Sequence, residues 1–246
     1  MPRIIASIEA RMGSSRLPAK MLTNIGPLPT IGWVVQRLQQ CELLDGIVIA
    51  TTENPLDDPL AEWARSEDVP VYRGSEDDVL QRVVDAQNFM KSDLVVEVTG
   101  DTPFVDPIIV DLAIRTMLNN QVDVVSTTWK QSFPMGLDVQ VFSFENIQKI
   151  ALSCNDPAVR EHVSLFFYEH PEQYNIYHLI APSQWHRPEI RLLLDYPKDL
   201  EMLRKLANLL IPKYGFSFSI DQLLFELTQN PKIQSLNSGC EERGAR

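Results

Sequence analysis

Between residues 3 and 126 of this 246-residue chain, short apolar runs alternate with amphipathic stretches, and that rhythm constrains the fold more than any other feature. Residues 3–8 (Arg-Ile-Ile-Ala-Ser-Ile) read as a buried first strand. Ile31, Val34, Val35 and Leu38 recur at helical spacing and predict a helix over roughly 29–41. Gly46 to Thr52 reads as a strand, and Leu60, Trp63 and Ala64 as a helix after it. Val69 to Tyr72 is a short strand, followed by a helical face of Val79, Val83, Ala86 and Met90. Leu94 to Thr99 is a strand, Ile108 to Leu118 a helix and Val122 to Ser126 a strand. Strands alternating with helices in this way make βαβ units, so the expected fold is α/β, a mainly parallel sheet flanked by helices. Such sheets bind ligands beyond the carboxyl ends of their strands, which directs attention to the loops after strands one, three and four.

The rhythm changes after residue 130. Gly136 to Phe142 alternates like a strand, and helices are expected over about 144–153 and 157–169. Asn175 to Ile180 and Ile190 to Leu194 read as strands, and Leu200 to Leu210 and Ile220 to Leu227 as helices. The expected organisation is one domain over 1–236, with 130–185 an inserted arm and 237–246 a flexible tail. The residues between 10 and 30, rich in Gly, Ser and Pro, read as a long loop.

Charge and cysteine usage exclude several functions. The balance is 22 − 33 = −11, which argues against a nucleic-acid partner, because duplex binding requires a basic face. No apolar run reaches the length of a membrane span, and the N-terminus lacks the apolar core of a secretory signal. Cys41, Cys154 and Cys240 are far apart and form no CxxC, so neither zinc nor a disulfide framework is indicated, and a reducing cytoplasm is the expected compartment.

The sharpest motif is Ala10-Arg-Met-Gly-Ser-Ser-Arg-Leu-Pro-Ala-Lys20, between the first strand and the first helix. Gly13, Ser14 and Ser15 permit close backbone approach and offer donors, and Arg11, Arg16 and Lys20 concentrate positive charge in an acidic chain. That combination suits a polyphosphate, although it is neither GxxxxGK[ST] nor GxGxxG, and a solvated basic loop would look the same. Asp101 stands just past a strand end in Val98-Thr-Gly-Asp-Thr-Pro, where a carboxylate can hold Mg²⁺; Asp106, before Pro107, is the better helix cap. Asp195 ends another apolar run and would either complete that metal site or cap the helix that Pro197 opens. Arg160 could clamp an anion and His162 exchange a proton with a hydroxyl, or both belong to an ordinary polar helix face. Arg73, Gly74 and Ser75 would receive a ribose or base, while the acids after them read as helix N-terminal charges.

RMGSSRLPAK, RGSEDDVL, VTGDTPFVDP, GLDVQVFSF, REHVS and LDYPKDLEML occur in the order and spacing of the spore-coat polysaccharide cytidylyltransferases. The chain resembles that family over about residues 3–205, and through it the synthetases of CMP-3-deoxy-octulosonate and CMP-sialate. The resemblance implies a Rossmann-like nucleotide-diphospho-sugar transferase fold. It implies a magnesium-dependent reaction of CTP with an acidic sugar, giving a CMP-sugar and pyrophosphate. It gives Arg11, Gly13, Ser14, Arg16 and Lys20 to the triphosphate and Asp101 and Asp195 to Mg²⁺. It further gives Gly136, Asp138, Arg160 and His162, on the arm, to the sugar and to a homodimer contact. Arg16, Lys20 and Asp101 would act on the reacting phosphates during in-line attack of a sugar hydroxyl on the α-phosphorus. The chain departs from the family pattern at Ala19, usually glycine; at Glu9, usually glutamine and near the nucleobase side; and at Gln140, usually glutamate. A uridylyl or guanylyl transferase on a sugar-1-phosphate would use the same loop. A phosphonate cytidylyltransferase, a glycosyltransferase or a non-catalytic sugar-nucleotide-binding subunit are the other rivals.

Overall fold

The computed structural model describes residues 1–240. Its first half runs β1 (Ile4–Glu9), the hairpin β2 (Asn24–Ile25) and β3 (Leu28–Pro29), and α1 (Thr30–Leu38). β4 (Gly46–Thr52), α2 (Asp58–Ser66), β5 (Val71–Gly74), α3 (Val79–Met90), β6 (Leu94–Thr99), α4 (Pro107–Asn119) and β7 (Val124–Ser126) follow. The second half adds β8 (Gln140–Ser143), α5 (Phe144–Ser153), α6 (Pro157–Glu161), α7 (Leu165–Glu169), β9 (Ile176–His178), α8 (Pro197–Tyr214) and α9 (Ile220–Gln229).

Seven strands form one sheet in the order β5-β4-β1-β6-β8-β7-β9. β5, β4, β1 and β6 pair in parallel, β8 runs antiparallel to both of its neighbours, and β9 pairs in parallel with β7. The expected α/β architecture is therefore present. Within 130–185, β8 lies between β6 and β7 and β9 forms the sheet edge, so this stretch supplies part of the main sheet. Because strand side chains alternate between faces, the sheet separates two apolar layers. One contains Ile8, Trp33, Ile109, Leu203 and Leu206, and the other Ile5, Val95, Val83, Phe142 and Phe167.

Five expectations need correction. The 10–30 loop contains a short 3-10 turn, Lys20–Leu22, and the β2–β3 hairpin. The helix expected over 157–169 is two short helices, because His162 leaves helical geometry (φ −118°) and the chain turns to bury Val163 fully. Gly136 to Val139 precede the strand rather than joining it. Ile190 to Leu194 form no sheet strand either: their backbone lies along Met135, with Met135 N–H donating to Ile190 O (2.9 Å) and Leu192 N–H to Met135 O (2.7 Å). Gly136 makes that approach possible. It sits at φ +93°, and a Cβ there would lie 2.8 Å from Leu192 C. Leu194 N–H then donates to Asp101 O (2.9 Å), which brings the end of this segment beside the end of β6. Asn237, placed by the sequence in the tail, is buried instead, its Nδ2 donating to Arg191 O (3.0 Å) and Asp199 Oδ1 (2.8 Å). Residues 241–246 of that expected tail lie outside the described residues.

Candidate active site

The loop after β1 is held by its own backbone and by one buried acid. Ser14 N–H and Ala19 N–H both donate to Met12 O (2.9 and 3.3 Å). Met12 N–H donates to Asp57 Oδ1 (2.6 Å), and Asp57, buried, also accepts from Thr52 at the end of β4. Ala19 takes left-handed backbone geometry (φ 56°) to start the turn that carries Lys20. Gly100 allows β6 to end against this loop, since a Cβ there would stand 2.7 Å from Met21 Sδ and 3.0 Å from the Ala10 Cβ.

Lys20 is the hub. Its Nζ donates to Asp101 Oδ2 (2.6 Å) and to Asp195 Oδ1 (2.9 Å), and the residue is only 8% exposed. Burial alone would lower its pKa, but the two carboxylates outweigh that and hold the ammonium above its ordinary value. Burial likewise works to raise the Asp195 carboxyl. Lys20, then Arg16 and Arg191, overcome it and keep Asp195 below the usual range. Arg16 reaches Asp195 at 2.8 Å and lies over the Tyr196 ring, while its buried Nη1 has no protein partner. Asp195 does not cap the following helix. Tyr196 is the cap, and Asp199 braces the turn by accepting from Asp195 N–H (3.0 Å), Tyr196 N–H (2.9 Å) and Arg191 Nε (3.0 Å). Asp106 does cap α4, accepting from Ile108 N–H (2.9 Å).

Asp101 and Asp195 thus converge on one point, which the Lys20 ammonium occupies. Two carboxylates are hard oxygen donors of the kind Mg²⁺ takes while completing its shell with water and phosphate oxygens, so the donor set fits that ion. No group of three His, Cys, Asp or Glu side chains able to hold a metal exists among the described residues, so such an ion would depend on the substrate for further ligands.

Arg16, Lys20 and Asp101 border a cleft of about 410 Å³ beyond the carboxyl ends of β1 and β6, with Asp195 buried behind Lys20 and outside its lining. Arg11, Gly13, Ser14, Ser15, Arg16, Lys20, Asp101 and His162 line it, together with Glu9, Arg82, Thr99 and Glu161, which the motif reading had not selected as site residues. Arg11 pairs with Glu161 (3.3 Å) across its mouth. Asp138, Arg160, Arg73 and Ser75 are not brought to its lining, and each has a bracing role. Arg73 donates to Thr52 O (2.8 Å) and Asn54 O (2.9 Å) and pairs with Asp58. Ser75 Oγ accepts from Asp78 N–H (3.2 Å) ahead of α3. Arg160 donates to Ala151 O (2.6 Å) and pairs with Asp78, tying α5 and α6 to the start of α3. Asp138 accepts from Gly136 N–H (2.9 Å) and closes that turn.

Under the cleft lies a polar network that no motif announced. Glu97 on β6 is buried beside Glu9, accepts from Gln140 Nε2 (3.1 Å), and Gln140 in turn accepts from the Tyr168 hydroxyl. The Tyr168 oxygen also accepts from the Ser126 hydroxyl (2.7 Å), and its ring stacks on Trp129 at 4.4 Å. Burial pushes Glu9 up to about 7 despite Arg82, and burial together with Glu9 raises Glu97 well above the carboxylate range. Glu9 and Gln140, two of the positions where the chain departs from the family pattern, are thus linked through one residue.

The cytidylyltransferase family model matches residues 5–224. The spore coat polysaccharide biosynthesis protein SpsF of Bacillus subtilis is 31% identical over 236 residues, covering 94% of this chain and 96% of its own. A 3-deoxy-manno-octulosonate cytidylyltransferase of Psychrobacter sp. is 27% identical over 255 residues, covering 95% of this chain and 90% of its own. The solved structure of a cytidylyltransferase from Leptospira borgpetersenii superimposes with a TM-score of 0.90 at 28% identity, covering 99% of this chain and all of that one (100%).

Proposed function

The chain belongs to the cytidylyltransferase family, and we propose that it transfers CMP from CTP to a hydroxyl of an acidic sugar, releasing pyrophosphate, with Mg²⁺ as its cofactor. The observation that carries this reading is the convergence of Lys20, Arg16, Asp101 and Asp195 at the edge of a cleft walled by the Gly13–Ser15 loop. The acidic sugar is supported by the Psychrobacter relative, named for its action on 3-deoxy-manno-octulosonate.

Arg16 and Lys20 would hold the phosphates and take up the charge that develops on departing pyrophosphate, where preorganised donors act most strongly. The unpartnered Nη1 of Arg16 is a donor free for that purpose. Asp101 and Asp195 would hold Mg²⁺, which supplies charge neutralisation at the reacting phosphate. Lys20 then exchanges its two carboxylates for phosphate oxygens. Arg11, Glu161 and His162, which line the same cleft, would face the acceptor, His162 taking the proton of the attacking hydroxyl and Arg11 meeting the acceptor's carboxylate. Arg73, Ser75, Arg160 and Asp138 support the walls from behind. No helix among the described residues is long and apolar enough to cross a membrane. We place the enzyme in the cytoplasm as a homodimer, with 130–185, including edge strand β9, as the contact region.

Pyrophosphate release tests the reading. CTP with 3-deoxy-manno-octulosonate or N-acetylneuraminate should give acceptor-dependent pyrophosphate that EDTA abolishes. Release with UTP or GTP and a sugar-1-phosphate, but not with CTP, would overturn it.

A further inference from the structure

The network beneath the cleft has a direction. Tyr168 O–H donates to Gln140 Oε1, and Gln140 Nε2 donates to Glu97 Oε2 (3.1 Å). Glu97, 7% exposed, lies beside Glu9, and two adjacent buried carboxyls share a proton rather than both ionise. Glu97 is the more deeply buried of the two and is raised further above the carboxylate range, so the shared proton lies on Glu97 and is donated to Glu9. Each member therefore donates to the next, and the series ends at Glu9.

Glu9 is the end that reaches the cleft. Its Oε1 is shielded from solvent and meets no N–H or hydroxyl of the protein. The nearby Arg82 spends a guanidinium hydrogen on Ser75 O, and its Nε has no partner. Ser7, opposite Glu97 in the β1–β6 register and fully buried, also has an unpartnered hydroxyl. A terminal acceptor left without its donor in the wall of a cleft calls for a donor from a ligand.

The side of the cleft decides which part of the ligand. Arg16 and Lys20 point to Asp195 and Asp101, and phosphates follow those cations. Glu9 lines the cleft together with Arg82, Glu161 and His162, and its carboxyl feels the negative charge of both Asp101 and Glu161. A carboxylate there would repel a phosphate and accept from a hydroxyl. We propose that Glu9 is a specificity-determining residue that accepts a hydrogen bond from a hydroxyl on the body of the acceptor sugar, and that Gln140 positions it through Glu97. This rests on the cytidylyltransferase reading above and adds the acceptor contact to it.

The test is steady-state pyrophosphate release by full-length wild type, Glu9→Gln and Gln140→Glu, with CTP and either 3-deoxy-manno-octulosonate or N-acetylneuraminate, alongside melting temperatures. Glu9→Gln should raise the acceptor KM about tenfold, the loss of one charge-assisted bond, and leave the CTP KM within about twofold. Its melting temperature should not fall, because the acid pair is relieved. Gln140→Glu, which sets a third carboxyl against Glu97, should melt lower, and the double variant should recover most of that loss. An unchanged acceptor KM in Glu9→Gln overturns the assignment. So does a rise in CTP KM as large as that for the acceptor, which would return Glu9 to the nucleobase. Additive melting shifts overturn the role of Gln140. Wild type that binds CTP but turns over neither acid removes the acidic-sugar reading itself, and the acceptor contact with it.

Discussion

Replacing Lys20 by methionine removes one ammonium and keeps most of the side-chain length, so its consequence can be worked from the geometry. Nζ stands 2.6 Å from Asp101 and 2.9 Å from Asp195, in a residue 8% exposed. Removing one partner of a buried ion pair costs about 3–5 kcal/mol, because a charge is left uncompensated. Here Arg16 at 2.8 Å and Arg191 at 3.4 Å still serve Asp195, and water reaches the more open Asp101. The net loss should therefore be about 2 kcal/mol, or roughly 4–8 °C in melting temperature for a domain of this size. The same change clears the point on which both carboxylates converge. Mg²⁺ should consequently stabilise Lys20→Met more than wild type, where the ammonium competes for that point. The assay is thermal unfolding of both proteins in EDTA and in millimolar Mg²⁺, without nucleotide. A variant as stable as wild type in EDTA, or one whose response to Mg²⁺ is no larger than wild type's, refutes the reasoning.

Asp101→Asn should lose most turnover in pyrophosphate release while part of its CTP binding survives in calorimetry; wild-type turnover would remove Asp101 from the metal site. Asn237→Ala should lower stability by about 1–3 kcal/mol, since it strips buried Arg191 O and Asp199 of a donor, and urea unfolding showing no loss would contradict the buried latch. Burial raises Glu9 from 4.5 to about 7, so the folded state holds a proton that the unfolded chain releases in that interval. Stability from this group is complete below pH 4.5 and declines as pH rises through 7, by about 3 kcal/mol, a decline that Glu9→Gln should reduce. Urea midpoints at pH 5 and pH 8 measure it, and identical pH dependence in the two proteins would show that Glu9 titrates normally.

What the sequence made legible follows from the range of the interactions involved. The βαβ rhythm of residues 3–126 is local: apolar period, turn residues and caps such as Asp106 lie within a few positions of what they shape. The cations of the first loop were visible for the same reason, three charges within ten residues. Their partners were not paired with them by any local signal, because Lys20 meets Asp101 across 81 residues and Asp195 across 175. Ile190 to Leu194 look like a strand because they are apolar, yet what determines their course is the close approach that Gly136 permits. Arg160 reads as an anion clamp and Arg73 as a nucleotide contact because a guanidinium serves backbone carbonyls and ligands equally well; only the fold shows the carbonyls of Thr52, Asn54 and Ala151 within reach. Asp57 was hidden by the opposite ambiguity, since an acid at a helix start looks like a charge for the helix rather than a brace for Met12. The Glu9–Glu97–Gln140–Tyr168 series crosses three strands and a helix, so no window of sequence contains it.

The central claim is that the loop ending at Lys20 binds CTP together with a divalent ion. Its most direct test is the melting temperature of the wild-type protein with CTP, UTP, GTP and ATP, each in Mg²⁺ and in EDTA, because a ligand selective for the native state raises stability with the logarithm of its saturation. The account predicts a shift for CTP that exceeds those for the other three and collapses in EDTA. An equal or larger shift with another nucleotide, or none with CTP, would contradict it.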